Sequence, residues 1–318
     1  MPGKGTFLSR ARQAELSLIA VTVVWGLTFS MVKKTLEVIP PFVFMSYRFI
    51  LAFIVLAAVC GRRMRRIDKG TAAAGLLLGV FLYGAYSFQT FGLQYTSAGN
   101  AGFITGLFVV FVPILSTLIL RKRPGILSIL SVIIATIGLG LLSLQPGMKV
   151  NSGDLLVLAC AFTYSLHIIY MDRFVQRHDL LLLTLLQMGV VAVLQTSSAL
   201  IFEDFTFPTG GYTWLTIIVC GVFASAIAFF VQAWAQREIS PVRTSVVLIM
   251  EPVFSVLFGI ILLGETLTWR GWLGCALMLA GMLITEIRPE GKKRASAPLH
   301  RYGEAPRAPM RHTRKARD

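Results

Sequence analysis

Ten long apolar runs, each near the length that crosses a bilayer, constrain this chain more than any other feature. They are Leu16–Val32, Phe42–Cys60, Ala72–Leu93, Ala98–Leu120, Ile126–Leu144, Asp154–Met171, Leu180–Phe202, Tyr212–Ala233, Val242–Leu263 and Trp269–Ile287. A helical span needs roughly 20 mainly apolar residues, because hydrocarbon offers the backbone no hydrogen-bond partner. The runs are continuously apolar and do not alternate, which excludes a membrane β-barrel. The breaks between them carry turn formers or charges, such as Pro40-Pro41, Arg62–Lys69 and Pro146–Gly153. The expected fold is an all-α integral membrane protein with ten transmembrane helices.

Composition excludes the rivals. Of 318 residues only 14% are charged and 55% are hydrophobic, too few charges to cover a soluble fold of this size. A soluble enzyme, an acidic disordered protein and a disulfide-rich secreted domain are ruled out. The net charge of +15 would suggest nucleic acid in a soluble chain, but here the basic residues lie between the runs and after Arg288. The four cysteines, Cys60, Cys160, Cys220 and Cys275, form no CxxC or Cys/His cluster, so neither a metal site nor a disulfide framework is expected. The first run ends in Lys33-Lys34 without a small-residue cleavage pattern and reads as a retained span.

Lysine and arginine orient the spans. With the N-terminus in the cytoplasm, the inner segments hold 25 of these residues and the outer segments 4; Arg48 lies inside a span. This is a strong positive-inside asymmetry, and it places both termini on the cytoplasmic side of a multi-pass protein of the inner or plasma membrane. Five runs precede the Pro146–Gly153 break and five follow it. An offset of 143 residues superposes Ser97 on Ser240, Val110-Phe111 on Val253-Phe254, Leu120 on Leu263 and Gly138 on Gly281. Because five is odd, the second half must enter the membrane with opposite polarity. The charges invert accordingly: basic Arg62–Lys69 corresponds to Glu203–Gly211, and neutral Gln94–Gly99 corresponds to Arg237–Arg243. Two inverted five-helix repeats are expected, 16–145 and 152–287, between a tail at 1–15 and a basic tail at 288–318.

Several motifs in this order resemble the drug/metabolite transporter superfamily, with two EamA-type domains. They are Trp25-Gly26, Arg48, Thr96–Phe103, Glu251-Pro252-Val253-Phe254, Leu263-Gly264-Glu265 and Gly281. The chain departs at Arg121-Lys122-Arg123, where many members carry an acidic residue. The resemblance implies a secondary transporter of a small organic solute, an amino acid or related metabolite, moved outward by alternating access. An uncoupled facilitator or channel, and a membrane receptor or assembly protein, are the alternatives.

No HExxH, GxSxG, Walker loop or helically spaced carboxylate pair occurs, so no enzyme activity, catalytic residue, cofactor or metal is expected. Polar groups inside spans carry the candidate site. Glu251 lies near the middle of the ninth run, and Pro252 beside it is expected to break the helix there. The pair could serve coupling or gating, and His167 in the sixth run could titrate during transport or simply pack. Arg48 reads as a residue that snorkels to the outer interface. Trp25, Phe29, Tyr83, Thr105 and Tyr164, with Glu251, are the cavity candidates; Tyr86 and Phe103 share their depth. Gly75-x-x-x-Gly79 and Gly102-x-x-x-Gly106 read as helix-packing spacings. The tail from Arg288 is basic, Pro-rich and coreless, which suggests disorder and attraction to anionic lipid, with nucleic acid not expected as a partner. Oligomeric state is not legible.

Overall fold

The structure, a computed structural model, describes residues 9–95, 101, 104–121, 123–143, 151–263 and 267–287. Among the described residues helix lies in every predicted run. The elements are α1 (Arg10–Thr35), α2 (Pro41–Cys60), α3 (Lys69–Tyr95), α4 (Phe108–Leu120), α5 (Ile126–Ser143), α6 (Ser152–Phe174), α7 (Leu180–Phe202), α8 (Gly211–Glu238), α9 in two pieces (Pro241–Leu248 and Glu251–Leu263) and α10 (Trp269–Ile287). Among the described residues there is no strand. Six stretches are long and apolar enough to cross a membrane: Pro41–Arg66, Lys69–Gly92, Ser152–Phe174, Leu180–Phe202, Gly211–Glu238 and Pro241–Phe258. Ile104–Leu120, Ile126–Leu142 and Trp269–Ile284 are apolar but shorter. The tail from 288 and most of Thr96–Phe103 lie outside the described residues.

Local chemistry starts these helices. Asp68 Oδ1 accepts from the Thr71 amide at 2.6 Å, and Asp179 Oδ1 accepts from Leu181 and Leu182 at 2.9 and 3.2 Å. Asn151 and Asp154 cap α6 reciprocally. Pro40, before α2, has no side chain able to do this. Glu203 at the end of α7 supplies the acceptor instead, taking the Phe42 and Val43 amides at 3.1 and 3.0 Å.

The 143-residue offset recurs in the helix bounds. Adding 143 to α3 gives 212–238, against 211–238 for α8; adding it to α5 gives 269–286, against 269–287 for α10. Helix packing obeys the same exchange. α5 packs on α10 and α2 on α7, while α3–α6 is matched by α1–α8, α3–α7 by α2–α8, and α4–α6 by α1–α9. The α5–α10 crossing shows it residue by residue: Gly138 lies against the Gly274 carbonyl, and its counterpart Gly281 lies against the Ser131 carbonyl. A Cβ at any of these three glycines would meet backbone. The Gly75/Gly79 spacing is likewise a packing face, with Leu186 and Val190 of α7 occupying the missing Cβ positions.

The ends of the bundle differ. One end gathers the start of α1 and the α2–α3, α6–α7 and α8–α9 links. There Arg237 donates to the Val175 and His178 carbonyls at 2.7 and 2.9 Å, Arg10 faces Glu238 at 3.8 Å, and Glu15 pairs with Arg243. This basic end is packed shut: all residues from Pro241 to Met250 are buried, as are Phe108, Val109 and Val112 of α4. Toward the other end burial is lower near the breaks in these two helices. Glu251–Val256 in α9 and Ile104, Thr105 and Leu107 ahead of α4 are only half-buried.

The break in α9 falls at Ile249-Met250, just before Glu251, with Met250 bonding back to Val247 at 3.1 Å. It is not caused by Pro252 alone, as the sequence suggested. The chain into α4 is interrupted at Leu107, the counterpart of Met250, although Val109 stands where Pro252 stands in α9. Pro252 occupies the second position of the following helical piece, where the amide it lacks would have no intrahelical partner.

Candidate functional site

The site is built around an unusual stretch of α8. Val219–Ile227 is wound as a π-helix, a form with i→i+5 bonds that concentrates at functional positions. Its small residues let α2 come close: a Cβ on Gly221 would sit 2.9 Å from the Arg48 carbonyl. That approach delivers the Arg48 side chain. Its Nε donates to Ser225 Oγ at 2.8 Å and its Nη2 to Tyr86 Oη at 3.1 Å, and the guanidinium stands 4.9 Å from the Tyr86 ring centroid. From α1, Trp25 Nε1 donates to the Ala224 carbonyl at 2.8 Å. Phe229 closes the cluster, 5.6 Å from Trp25 and 6.4 Å from Tyr86 between ring centroids. Tyr86 and Phe229 are counterparts by the 143-residue offset and face each other.

Arg48 therefore corrects the sequence reading. It does not snorkel; it is 5% exposed, and polar groups of α3 and α8 hold its guanidinium inside the bundle. With donors satisfied there, nothing drives the side chain out to the interface.

Glu251 is half-buried and within electrostatic reach of Arg48, Tyr86 and Tyr164. Among the described residues its carboxyl has no hydrogen bond or ion pair, so it stands available to a solute or proton. Tyr164 reaches Gln232 at 3.4 Å, and Gln232 and Gln236 continue the network to the Ile168 carbonyl. Thr105 accepts from Gln89 at 3.2 Å and is half-buried ahead of α4.

Two other candidates are turned elsewhere. Tyr83 Oη meets Ser198 Oγ at 2.6 Å between α3 and α7, so Tyr86 and not Tyr83 joins Arg48. His167 is fully buried, stacked 5.8 Å from Tyr164 and bonded through Nε2 to Gln187 at 2.8 Å, which fits the packing alternative. Of Phe29 only the backbone in α1 is described, and Phe103 lies outside the described residues. Sequence reasoning missed Ser225, Phe229 and the Glu15–Arg243 pair. No sequence signal marks the π-helical stretch that carries Ser225. Glu15 and Arg243 were legible only as two edge charges of opposite sign.

Comparison with known proteins follows the same division of the chain. The model of the EamA-like transporter family matches twice, at residues 12–144 and 151–287. An uncharacterized transporter of Archaeoglobus fulgidus is 31% identical over 275 residues, covering 86% of each chain. The uncharacterized transporter YcxC of Bacillus subtilis is 24% identical over 90% of this chain and 96% of its own. A plant relative, the chloroplastic WAT1-related protein At3g02690 of Arabidopsis thaliana, is 25% identical over 91% of this chain and 72% of its own. A solved crystal structure with 19% identity superposes with a TM-score of 0.75 over 87% of this chain and 97% of that one, a likeness of fold.

Proposed function

The chain belongs to the EamA-like transporter family and is a multi-pass membrane protein, and on that premise we propose a secondary transporter working by alternating access. The reading has all ten helices crossing the membrane as two inverted five-helix repeats, 16–145 and 152–287, with both termini cytoplasmic. The exchange-related helix contacts support the repeats, and the basic residues at one end support that end as cytoplasmic. The solute is a small organic molecule, an amino acid or related metabolite, moved outward across the cell membrane.

One observation carries the reading. Trp25 and Arg48 from the first half meet Ser225 and Phe229 from the second, with Glu251 within electrostatic reach of Arg48, beside a tightly packed basic end. A site shared by two halves that can tilt against each other is what alternating access requires. The buried Glu15–Arg243 pair at the basic end is the proposed inner seal. Glu251 is the coupling or solute-contacting group.

The test is counterflow in proteoliposomes loaded in turn with individual amino acids and related metabolites. Saturable exchange of labelled for unlabelled solute is expected. Fast, unsaturable flux would replace the carrier with a channel, and no flux with any solute would count against transport. Single cysteines in a cysteine-free variant check the orientation. Those placed in 203–210 are expected to react with an impermeant thiol reagent added to whole cells, and those in 62–68 are not.

A further inference from the structure

Between the α2–α3 and α6–α7 links lies a hollow of about 330 Å³ that the transport reading does not use. Its walls come from both halves of the chain. Arg63 and Arg66 stand on the 3₁₀ turn Gly61–Arg66, and Arg177 stands on the link after α6. Among the described residues none of the three guanidinium groups has a hydrogen bond or ion pair, and the three arginines outnumber the two carboxylates, Asp68 and Asp179, that line the same hollow.

The two acids in the hollow lower its positive charge but form no ion pair with these arginines. Asp68 is engaged with the first amides of α3 and Asp179 with those of α7. Bonding to the Thr71 amide and hydroxyl holds the Asp68 carboxyl below its usual range, so it remains a charged cap at neutral pH. The walls are braced as well: His178 Nδ1 meets Thr71 Oγ1 at 2.9 Å, and Arg237 holds the His178 carbonyl. The hollow is thus a fixed concavity with three uncommitted arginines, and the planar guanidinium fork suits phosphate oxygens.

We infer that this hollow binds a phosphate group, that of an anionic lipid headgroup in the adjoining leaflet, and that the bound group bridges Arg63 and Arg66 of the first half to Arg177 of the second. The position favours the lipid source: the arginines sit where the apolar helices α2 and α6 end and α7 begins, on the basic face, where headgroups of an adjoining leaflet would lie. The proposal stands apart from solute transport, so its failure leaves the reading of the central site intact.

Melting of the detergent-solubilised full chain is followed while phosphatidylglycerol, phosphatidylcholine or inorganic phosphate is titrated in. Three proteins are compared: wild type, R63Q/R66Q/R177Q, and R62Q/R65Q, which removes two arginines of the same turn that do not line the hollow. Phosphatidylglycerol is expected to raise the melting temperature of wild type and of R62Q/R65Q. In the triple variant its apparent affinity should fall by about tenfold or more. Phosphatidylcholine should do little. An equal response to millimolar inorganic phosphate, lost in the same triple variant, would keep the site and replace the lipid by a soluble anion. Equal loss in both variants would show a diffuse surface charge, and an unchanged response in the triple variant would show that the hollow binds nothing; either result overturns the proposal. If the triple variant does not fold, the single change Arg177→Gln takes its place with the same outcomes.

Discussion

The two halves of the chain share a register but not a chemistry. α3 and α8 are counterparts, yet α3 is regular throughout while α8 winds as a π-helix over Val219–Ile227. Arg48 in α2 corresponds to Val191 in α7, Glu251 to Phe108, and Glu15 to Leu158. Gly138/Gly281 and Tyr86/Phe229 are matched positions that pack. At Arg48/Val191, Glu251/Phe108 and Glu15/Leu158 only one half carries a charge. Packing surfaces can serve both halves because apolar contact is indifferent to direction. A buried charge cannot be duplicated without a second partner, so the site forms where the likeness fails.

The Glu15–Arg243 pair offers the strongest way to break this contrast. Glu15→Gln or Arg243→Gln alone leaves one charge buried without its partner. Each is expected to lower stability by about 3–5 kcal/mol, read as a fall in melting temperature or in recovered folded protein. The double variant Glu15→Leu/Arg243→Leu, which replaces the pair at the basic end by apolar side chains, should recover most of that loss. Failure of the double variant to recover would mean that the seal needs the ion pair itself and not just its neutralisation.

Glu251→Gln separates solute chemistry from folding. It retains volume and removes the charge, so initial flux should fall by about tenfold or more, or lose its pH dependence, with melting changed by less than about 1 kcal/mol equivalent. Wild-type flux with an unaltered pH profile would reduce Glu251 to the role of Phe108, a packing residue.

Arg48→Lys keeps the charge but not the fork that spans Ser225 and Tyr86. A loss of about 1–2 kcal/mol in stability and a several-fold fall in flux are expected, checked by melting and counterflow on the same preparation. Trp25→Phe keeps the ring against Phe229 and deletes the bond to the Ala224 carbonyl, for about 1 kcal/mol. If π-helical winding depends on that bond, hydrogen exchange of the 219–227 amides will quicken in Trp25→Phe. The smallest effect is expected from ending the chain at Arg294, beyond the last helix and without a counterpart in the first half: insertion and flux should be unchanged.

Run length and continuous apolarity determined the helices, because hydrocarbon tolerates no unpaired backbone and twenty apolar residues in a row have no other stable form there. The 143-residue offset was readable too, from Gly138/Gly281 and the reversal of loop charge. Side-chain destinations were not. Arg48 looked like an interface residue because its distance from the span end said nothing of Ser225 and Tyr86, which reach it from 177 and 38 residues away in the chain. Tyr83 and Tyr86 are alike in composition and depth, and only helix rotation sends one to Ser198 and the other to Arg48. Pro252 seemed the cause of a break that Leu107 shows without it. A periodic pattern records how much of each helix is apolar; which polar atoms meet is decided by close approach between distant segments, and that exists only once the helices have packed.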